Sequence, residues 1–393
     1  MGESGVSLHN LKRKNLLLCA FCAITFILGF EAGGLQLALL RTATEFNLDG
    51  AMLGLPITVK FAALCATPLI FGPIADRIGK KIVIAIFMVV FSVGSLLIGT
   101  SGGVAVFLFG LLILGAGSSV CECMVTAATV DIFGEDGERR INLSQSFFCL
   151  GAAVSPIILY RLMENFSASW RISYLICVAA MTALLPLLLY TFPGSKTPSK
   201  TTQPQEIRDN REIRSKNNKP TMIRGFIICM FVYVGIETGV SAYADAMFTL
   251  QLSAPQFGAY AIAAYWMSMA IGRFLFGQMK KIPKFATPIS LLCIAGILFS
   301  TLFFRHEFAM LMLFAAAGLA CSCVWPGIAG AAVLKNPDAS GKVMSYLNLG
   351  AGLGGAIVPL IMGIVMDVSN IFFSFALLAA LSTAAGIYIW KKA

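Results

Sequence analysis

Long apolar runs recur along this chain, and each is long enough to cross a lipid bilayer as an α-helix. Of the 393 residues, 58% are hydrophobic and 12% are charged, whereas soluble domains carry roughly 25% charged residues. A helix needs about 20 apolar residues to span the hydrocarbon, and it satisfies its own backbone hydrogen bonds there. The sequence therefore predicts an all-α membrane protein with twelve transmembrane helices. Their predicted bounds are 14–42, 51–74, 80–100, 104–133, 139–164, 170–192, 222–250, 255–277, 284–303, 307–335, 341–366 and 370–390.

Basic residues are distributed unevenly between the two sides of this arrangement. Twenty-four of the 29 Lys and Arg fall in the two tails and in the loops that follow even-numbered helices, and Lys60 lies inside the second helix. The other side carries four: Arg41, Arg161, Arg171 and Arg305. By the positive-inside rule, both termini are predicted to be cytoplasmic in a multi-pass protein of the cell (inner) membrane. The net charge of +10 thus reflects topology, and no nucleic-acid partner is expected.

The eleven cysteines lie almost entirely within the predicted helices, where they act as small apolar residues. The two CxC pairs, Cys121/Cys123 and Cys321/Cys323, place their side chains about 200° apart on a helix, which does not suit a metal site. We therefore expect no metal and no cofactor. The N-terminal basic residues and apolar run resemble a signal peptide, but the run is too long and has no small-residue cleavage site. It is predicted to stay as the first helix.

A polar segment divides the chain into two halves that resemble each other. The predicted units are residues 1–193, a cytoplasmic linker at 194–221, and residues 222–393. "GFEAGG" at 29–34 is echoed by "GIETG" at 235–239, CxC recurs, "FGP" at 71–73 is echoed by "FGQ", and "LGAAVSP" by "GGAIVP", at offsets of 200 to 206 residues. This constancy indicates two pseudo-symmetric six-helix bundles. Transporters built from such repeats bind their solute near the membrane midplane between the repeats.

The segment "FGPIADRIGKKIVI" at 71–84 resembles the loop signature of the major facilitator superfamily. The resemblance implies the major facilitator fold and a gating role for Asp76 and Arg77. Asp76 would accept from amides at the start of the eleventh helix, and Arg77 would pair with Asp131 at the end of the fourth. These contacts would close the cytoplasmic side. The echo "GQMKKIPK" in the second half lacks the aspartate.

Further stretches, among them "CECMVTAATVDIFGEDGERRINLSQSFFCLGAAVSP", "YWMSMAIGRFLFG" and "LNLGAGLGGAIVPLIMGIVMD", are similar to the fucose permease-like branch of that superfamily. The resemblance implies import of a sugar with protons and a proton- and sugar-handling role for Glu122. Two positions depart from the branch: its helix 1 aspartate falls near Gln36, and its helix 5 asparagine falls on Phe148. Fucose itself is therefore not the expected solute.

Ionisable residues inside the helices need an explanation, because each costs about 2.5–3.5 kcal/mol at a helix centre. Glu31 and Lys60 lie about 16 and 14 Å below the predicted outer surface on sequential helices, so they can pair. Three alternatives remain: an ion pair that only holds the two helices together, a proton-coupling pair in the central cavity, or a cationic Lys60 that binds an anionic solute.

Three more carboxylates have open alternatives. Glu122 has no acidic counterpart in the second half, where Ser322 takes its place; it either couples protons or ties two helices together. Glu237 either binds solute or caps a broken helix, and it is predicted to lack a basic partner, because Tyr265 lies near the position equivalent to Lys60. Asp245, near the outer end, is expected to be an interfacial or gating residue.

Neutral polar and aromatic residues complete the predicted solute site. Gln36 and Asn348 suit hydroxyl recognition or link two helices, and Pro326 is expected to kink the helix and turn Trp325 inward. Tyr265 and Trp266 can stack on a sugar ring or anchor the protein at the interface, and Tyr233 and Tyr243 are weaker candidates. The glycines around Glu31 and Glu237 permit close helix approach and favour bending of helices 1 and 7.

The sequence therefore predicts a proton-coupled transporter of a small polar solute, a sugar or sugar-like metabolite, that works by alternating access as a monomer in the bilayer. The alternatives are an antiporter that exports a drug or metabolite, a transporter of an organic anion bound by Lys60, and a sensor that binds solute without moving it. No P-loop, metal-ligand cluster or nucleophile arrangement is present in the sequence, so no catalytic residues and no enzyme activity are predicted.

Overall fold

The computed structural model describes residues 3–48, 50–133, 137–167, 169–192, 220–279, 285–334 and 340–391. These residues form helices joined by short turns, without a strand in the described ranges. The main helices are α1 (Glu3–Phe46), α2 (Leu55–Ile78), α3 (Lys80–Gly99), α4 (Val104–Phe133), α5 (Gly137–Phe166), α6 (Ile172–Thr191), α7 (Pro220–Ala242), α8 (Gly258–Gly277), α9 (Ala286–Ser300), α10 (Glu307–Cys321), α11 (Val324–Leu334), α12 (Ser340–Val368) and α13 (Ile371–Trp390).

The predicted all-α membrane fold is confirmed. Within the described residues, eleven helical stretches are long and apolar enough to cross a bilayer, and α9 is a shorter apolar helix of 15 residues. The helices α10 and α11 together occupy the tenth predicted span, with a break at 322–323. Pro326 follows this break, and because it has no N–H, the carbonyl of Ser322 loses its usual partner in the helix. The predicted kink therefore lies just before Trp325.

The helices pack as two groups, α1–α6 and α7–α13. In the first group α1 packs along α5 and α3 along α4, and in the second α7 packs along α12 and α8 along α10. The two groups meet where α5 lies against α8 and where α2 lies against α12. The predicted linker lies outside the described residues except for its last two positions, which belong to α7. These two pairs, α5 with α8 and α2 with α12, are the most extensive helix contacts between the groups.

Glycines let α1 and α5 approach backbone to backbone. A Cβ added at Gly29 or Gly33 of α1 would overlap the carbonyl oxygens of Phe148 and Ala152 of α5, and one at Gly151 would overlap that of Phe26. These glycines serve close packing, and α1 runs unbroken through them. Helix 1 is therefore not unwound at these glycines, and its role as a bending element stays a prediction.

The seventh predicted helix is interrupted, but beyond its glycines. It ends at Ala242 and continues as a short helix, Ala244–Ala246, and a π-helical turn, Met247–Gln251. This places Asp245 in an irregular segment where side chains of both groups meet. The bend that Gly235 and Gly239 were expected to provide is thus displaced by one to two turns.

We call the end at which α2, α4 and α6 finish the inner end, and the opposite end the outer end. At the outer end the two groups are held together by side chains. Arg41 pairs with Asp245 at 2.9 Å, Thr58 donates to the carbonyl of Ala356 at 2.7 Å, and Arg161 donates to Tyr260 at 3.0 Å. The structure is therefore closed at its outer end.

Candidate functional site

Glu31 and Lys60 form the ion pair that their depths predict. Lys60 Nζ lies 2.5 Å from Glu31 Oε2, and both residues are buried. The pair lies inside the first helix group, where Tyr174 and Cys177 of α6 are close to Glu31 and Gly115 of α4 touches the Lys60 backbone. The ammonium of Lys60 donates to Glu31 and its side chain is 8% exposed, so little of it is accessible to an anionic solute in this conformation.

This pair is not completely satisfied. Glu31 Oε1 and the Tyr174 hydroxyl are both buried and have no hydrogen-bond partner among the described residues. Neither atom forms a hydrogen bond to the second helix group. Because the ion pair joins two helices of the first group, the geometry favours the first of the three alternatives, an ion pair that holds α1 against α2.

A second buried ion pair joins α7 and α8. Arg273 Nη2 lies 2.9 Å from Glu237 Oε1, and the Tyr233 hydroxyl donates to the same oxygen at 3.0 Å. The expectation that Glu237 has no basic partner is therefore wrong. The sequence places Arg273 among the 24 basic residues of the cytoplasmic side. In the structure Arg273 is only 8% exposed, because its guanidinium extends from α8 to Glu237 of α7.

Arg273 also reaches the first helix group. Its Nη1 donates to the thiol of Cys149 of α5 at 3.2 Å. Near this contact, Glu122 of α4 accepts a hydrogen bond from Gln145 of α5 at 3.3 Å. Gln145 and Cys149 are four residues apart and share a face of the helix. Side chains from α4, α5, α7 and α8 therefore converge between the two groups, and we call Glu122, Gln145, Glu237 and Arg273 the central polar cluster.

Glu122 differs from the other carboxylates near the middle of the helices. Glu31 and Glu237 each have an ion-pair partner, whereas within the described residues the one side-chain hydrogen bond to Glu122 comes from the neutral Gln145. Arg273, Glu237 and Lys60 lie close enough to interact with it electrostatically without a direct hydrogen bond. Glu122 is partly exposed in this conformation.

Asn348 of the second group contacts the first group, whereas Trp325 packs against the hydrophobic core. Asn348 of α12 donates to the thiol of Cys123 of α4 at 3.4 Å, which joins the groups one residue from Glu122. Cys121, two residues away on α4, instead contacts the carbonyl of Ile84 of α3, as the predicted opposite directions of the CxC side chains require. Trp325 is partly exposed and packs against the core.

Gln36 and Trp266 are brought together across the interface. The Trp266 indole donates to Gln36 Oε1 at 2.8 Å, and its ring packs edge-on against Phe148 at 5.9 Å. Position 36 lies between Glu31 and Arg41 on α1, so this contact covers the central polar cluster from the outer side. In this conformation Gln36 therefore links two helices, which is one of its two predicted alternatives.

Tyr265 does not fit its predicted role in solute binding. Its side chain is fully buried, and its hydroxyl contacts the carbonyl of Glu237 and the thiol of Cys321 within the second group. Tyr233 and Tyr243 are buried in the same way. The Tyr243 hydroxyl donates to the carbonyl of Pro359, and the single proton of the Tyr233 hydroxyl is shared between Glu237 and the carbonyl of Cys321, each at 3.0 Å. These tyrosines lie in the core of the second group and present no ring face to a solute in this conformation.

The inner-end gate differs from its prediction in one contact. Asp131 pairs with Lys80, whereas Arg77 is exposed. The physical reason is Gly79, whose φ of 96° ends α2 at Ile78 and turns the chain, so that Lys80 and not Arg77 faces α4. The side chain of Asp76 lies outside the described part of the structure, and its contact with the eleventh helix remains a prediction.

The Arg41–Asp245 pair is the outer counterpart of this gate. Asp245 is buried and lies beyond the end of α7. Burial raises the pKa of the Asp245 carboxyl, and the adjacent Arg41 guanidinium lowers it. Asp245 therefore lies near the outer end, as the sequence predicts. The structure adds its partner, Arg41 of α1.

Sequence reasoning missed Arg273, Gln145 and Cys149. The signal for Arg273 was its place four residues inside the predicted end of helix 8 at 277, which is too deep for a loop residue. Gln145 and Cys149 carry no comparable signal, because their importance depends on which helix lies opposite α5.

Comparisons with known proteins show which family has this architecture. The sequence model of the Major Facilitator Superfamily matches residues 21–307 of this chain. The fold is similar to that of the E. coli fucose:proton symporter FucP, with a TM-score of 0.67 and 20% identity over 96% of this chain and 98% of that one. It is also similar to the human organic anion transporter MFSD10, with a TM-score of 0.71 and 14% identity over 96% and 99%.

Among curated relatives, the multidrug resistance protein MdtL of Salmonella dublin is 28% identical over 178 residues. This match spans 44% of this chain and 44% of the relative, so it covers less than half the length of either protein. The family match covers most of this chain and includes α2 to α9 completely. The chain therefore belongs to the Major Facilitator Superfamily of membrane transporters.

Proposed function

We propose that this transporter moves a small polar solute, a sugar or sugar-like metabolite, together with protons. The observation that carries the proposal is the state of Glu122. Among the three carboxylates near the middle of the described helices, it alone has no ion-pair partner, and it lies one residue from the contact of Cys123 with Asn348 that joins the two helix groups.

An unpaired carboxylate at this depth suits proton coupling. Its ionised form lacks a counter-ion, and charges inside the membrane are costly unless they are paired or hydrated. Binding and release of a proton at Glu122 therefore changes the balance of charge between the helix groups. The resemblance of the Glu122 segment to the fucose permease-like branch supports the same role.

Alternating access has a structural basis at both ends. The outer end is closed by Arg41 and Asp245, and the contact of Trp266 with Gln36 covers the central polar cluster from that side. Solute would enter from outside when these contacts break, and the predicted contact of Asp76 with the start of the eleventh helix would then close the opposite side. Lys80 and Asp131 both belong to the first group and hold α3 against α4. We place both termini in the cytoplasm and the protein in the cell inner membrane, as the basic residues indicate.

The Glu31–Lys60 pair has a structural role in this proposal. It is enclosed by helices of one group, so movement of the groups does not separate its partners. Proton coupling is assigned to Glu122, and Glu31 and Lys60 hold α1 against α2.

Export of a drug or metabolite in exchange for protons is a second candidate. The similarity to the multidrug resistance protein MdtL supports it, and Glu122 would then bind a cationic or amphipathic solute in its ionised form. Both candidates use Glu122 as the proton-coupling carboxylate. What distinguishes them is the direction in which the solute moves relative to the proton.

Transport by proteoliposomes under an imposed pH gradient tests the proposal. Accumulation of a sugar with acid outside supports symport, whereas loss of a preloaded cationic drug under the same gradient supports antiport. Binding without flux in either direction would contradict transport and support a sensor.

A further inference from the structure

The guanidinium of Arg273 points to a more specific class of solute. We propose that Arg273 binds the carboxylate of a hydroxylated acid, such as a sugar acid, within the central polar cluster. The inference rests on the proposed function, because it specifies the solute of the same site.

Arg273 is incompletely used by the protein itself. Its Nη2 bonds to Glu237 at 2.9 Å, its Nη1 donates to the Cys149 thiol at 3.2 Å, and its buried Nε has no partner among the described residues. A thiol is a weak hydrogen-bond acceptor. The five N–H groups of an arginine match a carboxylate in a planar, two-point arrangement. A solute carboxylate would therefore replace the weak contact of Arg273 with the Cys149 thiol by a stronger, charged hydrogen bond.

The neighbours of Arg273 suit hydroxyl groups. Gln145 and Asn348 are partly exposed amides, and the acceptors they contact are Glu122 and the Cys123 thiol. Each amide also has a carbonyl oxygen that can accept from a hydroxyl. A solute with a carboxylate at one end and several hydroxyls along its length would thus contact both helix groups at once.

The charges around Glu122 link this solute to a proton. The charged groups that act on Glu122 are Arg273 of α8, Glu237 of α7 and Lys60 of α2, while Gln145 of α5 donates to it. Glu237 and Glu31 already neutralise Arg273 and Lys60. An added carboxylate is therefore repelled by ionised Glu122 and accepted when Glu122 is protonated, so the acid and a proton bind together.

Binding of D-glucuronate, D-gluconate and D-glucose to the purified full-length transporter tests the inference, measured by titration calorimetry in detergent. The test variant is Arg273→Gln/Glu237→Gln, which removes both charges of the pair and so avoids a lone buried carboxylate. The matched control is Glu31→Gln/Lys60→Met, which removes the other buried pair. Thermal denaturation of both variants establishes that they are folded.

We expect at least one of the two sugar acids to bind wild type and the control. The affinity of the Arg273→Gln/Glu237→Gln variant should be weaker by about tenfold or more, the effect of losing hydrogen bonds to a charged group. D-Glucose binding that exceeds that of both acids and is unaffected by the test variant would overturn the inference and leave sugar transport standing. Equal loss of acid binding in the control would also overturn it, and absence of binding by all three probes would count against both the inference and the proposed function.

Discussion

Arg41 and Asp245 lie 204 residues apart and meet at 2.9 Å across the interface between the two helix groups. The separation is two residues shorter than the 206-residue offset between GFEAGG and GIETG, so Asp245 lies within two residues of the position equivalent to Arg41. A cation in one repeat and an anion close to the corresponding place in the other therefore close the outer end of a pseudo-symmetric molecule.

Breaking this pair should favour opening of the outer end. In Asp245→Asn or Arg41→Gln the closed form loses roughly 1.5–3 kcal/mol, the value of a hydrogen bond to a charged group, because one partner is buried. Spin labels at the exposed positions Thr44 and Gln251 should then show a larger share of long distances. The charge-exchanged variant Arg41→Asp/Asp245→Arg should recover the short distances. Unchanged distributions in both single variants would refute the gating role.

The buried Glu31–Lys60 pair should matter for stability and not for transport. Lys60→Met leaves Glu31 buried without a partner and should lower the free energy of unfolding by about 3–5 kcal/mol. Glu31→Gln/Lys60→Met should recover most of that loss in thermal denaturation and should keep proton-driven uptake. A stable double variant without uptake would show that the pair belongs to the coupling machinery.

Close packing of α1 on α5 should tolerate no added methyl group. Gly33→Ala places a Cβ on the carbonyl oxygen of Ala152, so we expect a loss of about 1–3 kcal/mol from overpacking. The control is Gly296→Ala on α9, where a Cβ would meet no atom within 4 Å; it should be neutral or stabilising by up to about 1 kcal/mol. Equal thermal midpoints for the two variants would contradict this packing argument.

The two helix groups should differ in which polar side chains contact the solute. Tyr265→Phe removes a hydroxyl buried within the second group and should change solute affinity by less than about twofold. Gln145→Leu removes an amide of the central polar cluster and should weaken affinity about fivefold or more, since a hydrogen bond contributes about 1 kcal/mol. Calorimetric titration with the transported solute compares them, and the reverse order of effects would move the site towards α8 and α10.

The sequence predicts the fold well because membrane helices follow from local composition. Helix depth also predicts the Glu31–Lys60 pair, since the two helices are sequential and each residue position fixes a height. The partner of Glu237 could not be found in this way. Arg273 lies near the inner end of α8 and reaches Glu237 through a long flexible side chain, so the heights of the two backbones do not match.

Other differences arise at glycines. Gly79 adopts a φ of 96° and changes the chain direction between Arg77 and Lys80, so helical periodicity could not select the partner of Asp131. Gly29 and Gly33 are compatible with both bending and close packing, and the choice depends on the presence of α5 against α1. In both cases the outcome depends on which helices are neighbours in the folded protein, which the sequence does not specify.

Uptake by proteoliposomes that carry Glu122→Gln tests the central claim most directly. The variant keeps the shape of the side chain and a partner for Gln145, but it cannot release a proton. We predict that it loses accumulation of solute driven by a pH gradient with acid outside and retains exchange of labelled for unlabelled solute. Accumulation equal to that of wild type under the same gradient would contradict proton coupling through Glu122.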